Sequence, residues 1–225
     1  MEEAPPLIRL FHVYKRYGAT TALADITLDI GTGEFIFVTG ASGAGKTTLL
    51  KLLYRGETPS EGQILIDGMN LTRIKRDRIP FLRRKFGVIF QDYNLIPTQT
   101  VFDNLALVLE VAGHKQSYIA KKVKSVLRTV GMEERMNSFP PALSGGEQQK
   151  ITIARAIAGD PKIILADEPT GSLDDESATD VMALLQSFHD RGTTVIVATH
   201  NKNLIRTIDA RRISLGRDHS QQEME

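Results

Sequence analysis

A glycine-rich turn set between an apolar strand and an amphipathic helix constrains this chain more than any other feature. Residues 35–39, FIFVT, read as a buried parallel strand, and KTTLLKLLYR from Lys46 carries Leu49, Leu50 and Leu53 at helical spacing. Between them, Gly40-Ala41-Ser42-Gly43-Ala44-Gly45-Lys46-Thr47 fits the phosphate-loop pattern. Glycines let successive backbone N–H groups turn inward around an anion, and the helix N-terminus adds partial positive charge. In that setting Lys46 reaches the β and γ phosphates of a nucleotide, the Thr47 hydroxyl ligates Mg²⁺, and Thr48 belongs to the same phosphate-side turn. An ordinary glycine turn satisfies the bare pattern in about one chain in a hundred of this length. The strand before it and the helix after it decide for nucleotide binding.

The rest of the chain alternates in the same way. Strand patterns occupy 7–14, 23–30, 63–68, 86–92, 162–168 and 193–200, and a helix ends near Gly192. From Leu105 to Val130 the apolar spacing becomes helical. Strands alternating with helices predict an α/β fold on a mostly parallel sheet, with 93–157 as a helical lobe inserted into it. The expected organisation is one domain, residues 1–92 and 158–225 forming the core and 93–157 the lobe.

Composition removes several classes. No cysteine is present, so disulfides, thiolate nucleophiles and zinc–thiolate sites are excluded together. The five histidines, His12, His114, His189, His200 and His219, lack metal-ligand spacing. Lysine plus arginine total 28 against 27 acids, which gives no global field for nucleic acid. The N-terminal MEEAPPLIRL lacks the basic-then-apolar order of a secretory signal, and no apolar run approaches the roughly 20 residues that cross a bilayer. The expectation is a cytoplasmic protein that reaches a membrane only through another.

Two further motifs carry chemistry. Ile163, Ile164, Leu165 and Ala166 deliver Asp167 and Glu168 to the carboxyl end of a strand, where open α/β sheets bind ligands. Asp167 would hold Mg²⁺ through its water shell and Glu168 would orient and polarise an attacking water; a solvated strand end is the alternative. Leu143-Ser144-Gly145-Gly146-Glu147 opens the helix EQQKITIARAIA, so it is a second helix N-terminus able to offer N–H groups to phosphate, or a plain N-cap.

With the phosphate loop, the paired acids and this LSGGE segment together, the chain resembles the ATP-binding cassette (ABC) family, whose signature usually has Gln at Glu147 and Arg at Lys150. The resemblance implies a P-loop NTPase fold: an ABC nucleotide-binding domain with a RecA-like core, an antiparallel β subdomain and an inserted helical subdomain. It implies ATP and Mg²⁺ as cofactors and ATP hydrolysis as the activity. Gln91 resembles the glutamine that contacts Mg²⁺ and water, His200 the switch histidine on the γ-phosphate, and Tyr17 the aromatic residue that stacks on adenine. Ser172-Leu173-Asp174 resembles the D-loop at a dimer interface. Singly, each has a plainer alternative: a capping Gln, a neutral core His, a strand aromatic, an N-cap at Ser172. The family also places Ser144, Gly145, Gly146 and Glu147 against the nucleotide of a second copy, so that two chains sandwich two ATP molecules head to tail.

Residues 79–113, 143–149 and 166–175 closely resemble the cell-division branch of that family and, less closely, its lipoprotein-release and macrolide-export branches. The closer resemblance implies a polytopic membrane partner on the cytoplasmic face of the bacterial inner membrane, further division proteins around it, and control of peptidoglycan hydrolysis. The alternative is the ATPase subunit of an export transporter. Two surfaces stay open. Residues 73–85 carry seven basic residues against Asp77, either a solvated helical face or a contact for anionic lipid or a partner. Leu95, Ile96, Val101, Leu105 and Val108 are lobe core or, in part, a docking groove. The tail RDHSQQEME is expected to fray.

Overall fold

Runs of alternating and continuous apolar residues organise the backbone, which the computed structural model describes for residues 5–216 and 220–224. In chain order it forms β1 (Ile8–Tyr17), β2 (Thr20–Ile30), β3 (Phe35–Thr39), α1 (Lys46–Leu53), β4 (Glu61–Ile66), β5 (Met69–Asn70) and α2 (Ile79–Arg83). There follow β6 (Phe86–Ile89), α3 (Val101–Val111), α4 (Gln116–Thr129), α5 (Gly145–Ile157), β7 (Ile163–Asp167) and α6 (Asp175–His189). The chain ends with β8 (Thr194–Ala198), α7 (Lys202–Thr207), β9 (Arg211–Leu215) and β10 (Gln221–Met224). It divides into two compact units, Met1–Arg83 with Phe188–Glu225, and Arg84–Ser187.

The first unit holds an antiparallel sheet in the order β2-β1-β4-β5, with Ile8 opposite both Ile30 and Ile66. Its apolar face is the alternating set Ile8, Leu10, Leu28, Ile30, Ile64 and Ile66, each buried. In the same unit β3 pairs in parallel with β8 (Phe35 opposite Val195) and with β9 (Ile36 opposite Arg211). β3 and β8 are almost wholly buried, which is why they read as unbroken apolar runs. α1 buries Leu49, Leu50, Leu52 and Leu53. The tail does not fray at 221–224: Gln221 pairs with Leu215 and Met224 with Arg212 in an antiparallel ladder. The free edge of β9 supplies the N–H and C=O groups that hold it. Residues 217–219, including His219, and residue 225 lie outside the described residues.

The second unit pairs β6 with β7 in parallel, Phe86 opposite Ile163 through Ile89 opposite Ala166, and packs α3, α4 and α5 with them. The strand expected over 86–92 ends at Ile89, so Gln91 sits on an exposed bend beyond it. The helical run expected from Leu105 to Val130 is two helices, separated at Gly113, whose φ of 87° no helix accepts. A capping box between Thr100 and Asp103 starts α3, and Ile119, Val123, Val126 and Leu127 form the buried stripe of α4. Val101 and Leu105 are buried lobe core; Leu95, Ile96 and Val108 are half-buried. Among the described residues no helix is long and apolar enough to cross a membrane.

Candidate nucleotide site

In the first unit the phosphate loop joins β3 to α1. Gly45 is the residue before α1 and holds φ 99° with no side-chain cap, so the first N–H groups of α1 are left for another acceptor. A Cβ at Gly45 would collide with the Ala22 carbonyl oxygen and Leu23 of β2, so packing as well as dihedral angle demands glycine there. Ala41, Ser42 and Gly43 are exposed at the loop's crest, Ala44 is buried and donates its N–H to the Ala41 carbonyl at 3.1 Å. The ammonium of Lys46 is buried within the loop, donating to the carbonyls of Gly40 at 3.0 Å and Ala41 at 3.2 Å. Thr47 is exposed and Thr48 half-buried in the first turn of α1.

His200 follows β8 and is exposed. It lines a cavity of about 540 Å³ together with Gly40 and Ala41 at the start of the loop, Thr39, and Arg206 and Arg212. Tyr17, at the end of β1, is 44% exposed. One face of its ring carries the Lys15 ammonium 4.6 Å from the centroid, and Lys15 is itself fixed by Glu57 at 2.8 Å and the Thr58 carbonyl at 2.9 Å. The hydrogen bond from Lys15 holds the Glu57 carboxyl below the usual carboxylate range.

In the second unit Asp167 ends β7 and Glu168 follows it in the left-handed region, φ 45°. The turn beyond is pinned by the buried Gln149 of α5, whose Nε2 donates to the Pro169 carbonyl at 2.7 Å. Ser144 caps α5: its Oγ accepts from the Glu147 N–H at 3.2 Å while Glu147 Oε2 accepts from the Ser144 N–H at 2.8 Å. That backbone hydrogen bond, with Arg135 at 3.0 Å from Oε1, holds the Glu147 carboxyl below its usual range. Both glycines of the segment are tightly enclosed. A Cβ at Gly145 would lie 3.0 Å from Tyr93 Oη and 3.8 Å from Leu173, and a Cβ at Gly146 only 2.6 Å from Ser177 Oγ. Ser177 is bound to Asp174, its N–H at 2.8 Å from Oδ1 and its Oγ donating to Oδ2 at 3.0 Å, and these bonds hold the Asp174 carboxyl below its usual range.

A family model described as "ABC transporter" matches residues 23–171. The chain belongs to this family. It is 48% identical over 210 residues to the cell division ATP-binding protein FtsE of Bacillus subtilis strain 168, covering 93% of this chain and 92% of that one. Against the protein of the same name from Escherichia coli K12 the identity is 45% over 214 residues, covering 95% and 96%. The dimeric structure of MJ0796, a bacterial ABC transporter cassette, superimposes with a TM-score of 0.87 at 35% identity, covering 97% of this chain and 99% of that one. A post-hydrolysis state of MJ0796 bound to ADP and Pi matches with a TM-score of 0.86 at 34% identity, with the same coverage.

As an ABC ATPase the chain binds ATP and hydrolyses it, and its fold is the nucleotide-binding cassette. Within the first unit the expected residues Gly40 and Ala41 come together with His200 around one cavity. Within the second, Gly145, Gly146 and Asp174 come together through Tyr93, Leu173 and Ser177. Tyr93 and Ser177 escaped the sequence reading. Ser177 left one trace: a serine three residues after Asp174, at a helix start, is a capping spacing. Tyr93 left none, because its contact with Gly145 spans most of the lobe in sequence. The N-cap reading of Ser144 and the phosphate reading are compatible, since an Oγ that accepts an N–H keeps its own proton to donate.

Proposed function

We propose that this ABC ATPase is the ATP-driven subunit of an FtsEX-type complex, working on the cytoplasmic face of the bacterial inner membrane. It would act through a polytopic FtsX-like membrane protein to regulate peptidoglycan hydrolysis in cell division, with other division proteins around it. The observation that carries this reading is the 43–48% identity, over 93–95% of the chain, to proteins named FtsE from several bacteria. No helix among the described residues is long and apolar enough to cross a bilayer, and this reading gives the membrane-spanning part to the partner.

In this reading Gly40 to Gly45 and the α1 N-terminus hold the phosphates, Lys46 neutralises the β and γ groups, and Tyr17 stacks on adenine with the ring face opposite Lys15. Glu168 polarises the attacking water, and His200 holds the γ-phosphate. The donor set offered to a cation, the Thr47 hydroxyl, the Gln91 amide oxygen and the Asp167 carboxylate, is all oxygen and suits Mg²⁺. When bound, Mg²⁺ would neutralise charge on the β and γ oxygens. Ser144, Gly145, Gly146 and Glu147 would close on the ATP of a second copy; that the MJ0796 cassette has a dimeric structure supports a dimer here. The γ-phosphate then favours a closed dimer by contacts that ADP cannot make, and hydrolysis reopens it.

Affinity capture of the tagged chain from detergent-solubilised membranes of its own host tests the division reading. An FtsX-like protein should be recovered, in larger amount with the Glu168→Gln variant and ATP. Recovery of a lipoprotein-release or efflux permease in its place would replace division by export.

A further inference from the structure

Cations over most of the surface are committed. Arg9 holds Asp29 at 2.8 Å, Lys122 holds Asp160 at 2.6 Å, Arg128 holds Glu133 at 2.9 Å and Lys150 holds Asp180 at 2.6 Å. The basic run splits into two halves by this criterion. Its last part is committed to backbone: Arg83 donates to the carbonyl of Arg55 at 3.0 Å, and Arg84 to that of Val111 at 2.9 Å. Its first part is not. Arg73, Lys75, Arg76 and Arg78 are all exposed, and among the described residues none of them takes part in an ion pair or a side-chain hydrogen bond.

The same segment shows an apolar tip. Phe81 is 55% exposed, with the Arg78 guanidinium 6.0 Å from its ring centroid. Leu71 before the segment and Leu82 after it are fully buried, so the polar stretch between them is fixed with its charges in solvent. Four cations within six residues, one acid (Asp77) and one protruding ring make a compact amphipathic patch on a chain of net charge only +1. A surface of that kind matches a plane of anionic headgroups: cations pair with phosphates while the ring lodges at headgroup level. Nucleic acid fits it less well, because a chain of net charge +1 has no global basic field to draw a polyanion.

We propose that Arg73 to Phe81 is a lipid-contact face that binds anionic phospholipid directly, giving the chain an affinity for the bilayer of its own. The inference stands whichever membrane protein the ATPase serves. Basic residues near an anionic surface contribute about 1 kcal/mol each, so four of them, partly screened, correspond to about a hundredfold or more in partition coefficient.

The test is vesicle flotation of the full chain. It should float with phosphatidylcholine vesicles containing phosphatidylglycerol and not with phosphatidylcholine alone, and the binding should weaken steeply as salt rises. Arg73→Gln, Lys75→Gln, Arg76→Gln and Arg78→Gln together should reduce partitioning about a hundredfold while ATP turnover and the circular dichroism spectrum stay unchanged. Phe81→Ala alone should reduce it several-fold at constant charge. Equal flotation with both vesicle types, or undiminished flotation of the quadruple variant, would overturn the proposal. So would a wild-type chain that ignores anionic vesicles while the quadruple variant loses its co-purifying membrane protein, since the patch would then be a protein-docking face.

Discussion

Glu168 holds φ 45° at the point where β7 gives way to the loop before α6. A non-glycine residue in that region carries strain on the order of 1–3 kcal/mol, which persists only where the surroundings fix it. The Gly171 N–H donates to the Glu168 carbonyl at 3.1 Å, and Gln149 holds the Pro169 carbonyl one residue on. The backbone that carries the Glu168 side chain is therefore held on its C-terminal side by two hydrogen bonds. Glu168→Gln keeps length and backbone and removes only the basic oxygen. Turnover, read by phosphate release, should fall by about 10²–10³, while ATP affinity, read by nucleotide titration, should change little. Turnover at the wild-type rate would remove Glu168 from the role of base.

At the scale of elements, the two glycines after Ser144 are usually read through the phosphate they let approach. Here they also make room within their own unit, Gly145 for Tyr93 and Gly146 for Ser177. Gly146→Ala would place a Cβ 2.6 Å from Ser177 Oγ and 3.1 Å from Ser177 Cβ, and turning the hydroxyl away gives up its bond to Asp174. The expected cost is about 1–2 kcal/mol, roughly 2–8 °C in melting temperature for a chain of this size. Ser177→Ala removes the clashing oxygen in advance. In a double-mutant cycle by thermal unfolding the pair should therefore couple by about 0.5 kcal/mol or more; strict additivity would show that the two elements are not linked.

The same elements show what the sequence could reveal. β3, β7 and β8 were legible because each carries four consecutive apolar residues, and α1 and α5 because a glycine or serine start precedes helical spacing. The break between α3 and α4 hung on a single glycine, Gly113, inside a pattern whose apolar spacing continues on both sides. The strand at 221–224 was not legible: QQEM has little strand preference, and what holds it is the unpaired edge of β9, a property of the fold and not of those residues. Ser144 was legible as the N-cap of α5, whereas the contacts around its segment, made by residues distant in sequence, were invisible.

For the molecule as a whole, the decisive question is whether each ATP is completed by the chain that binds it or by a second copy. In a two-fold dimer the same surface serves both copies, so each site would draw its phosphate loop from one chain and Ser144 from the other. Lys46→Ala disables a phosphate loop and Ser144→Arg disables a signature, and either change, made in both chains, disables both sites. Mixed in equal amounts, the two variants behave differently under the two arrangements. If sites are completed in trans, half the dimers are mixed and each mixed dimer holds one site with an intact Lys46 and an intact Ser144. Turnover in the mixture should then recover to at most about a quarter of wild type, since half the dimers carry one working site of two. If each chain completed its own site, no mixture could contain an intact pair, and activity would stay at the level of the separate variants. Recovery should also require ATP-driven association, seen as a dimer by size-exclusion chromatography with Glu168→Gln chains and ATP but not with ADP, because in the proposed arrangement Ser144 holds the γ-phosphate, which ADP lacks.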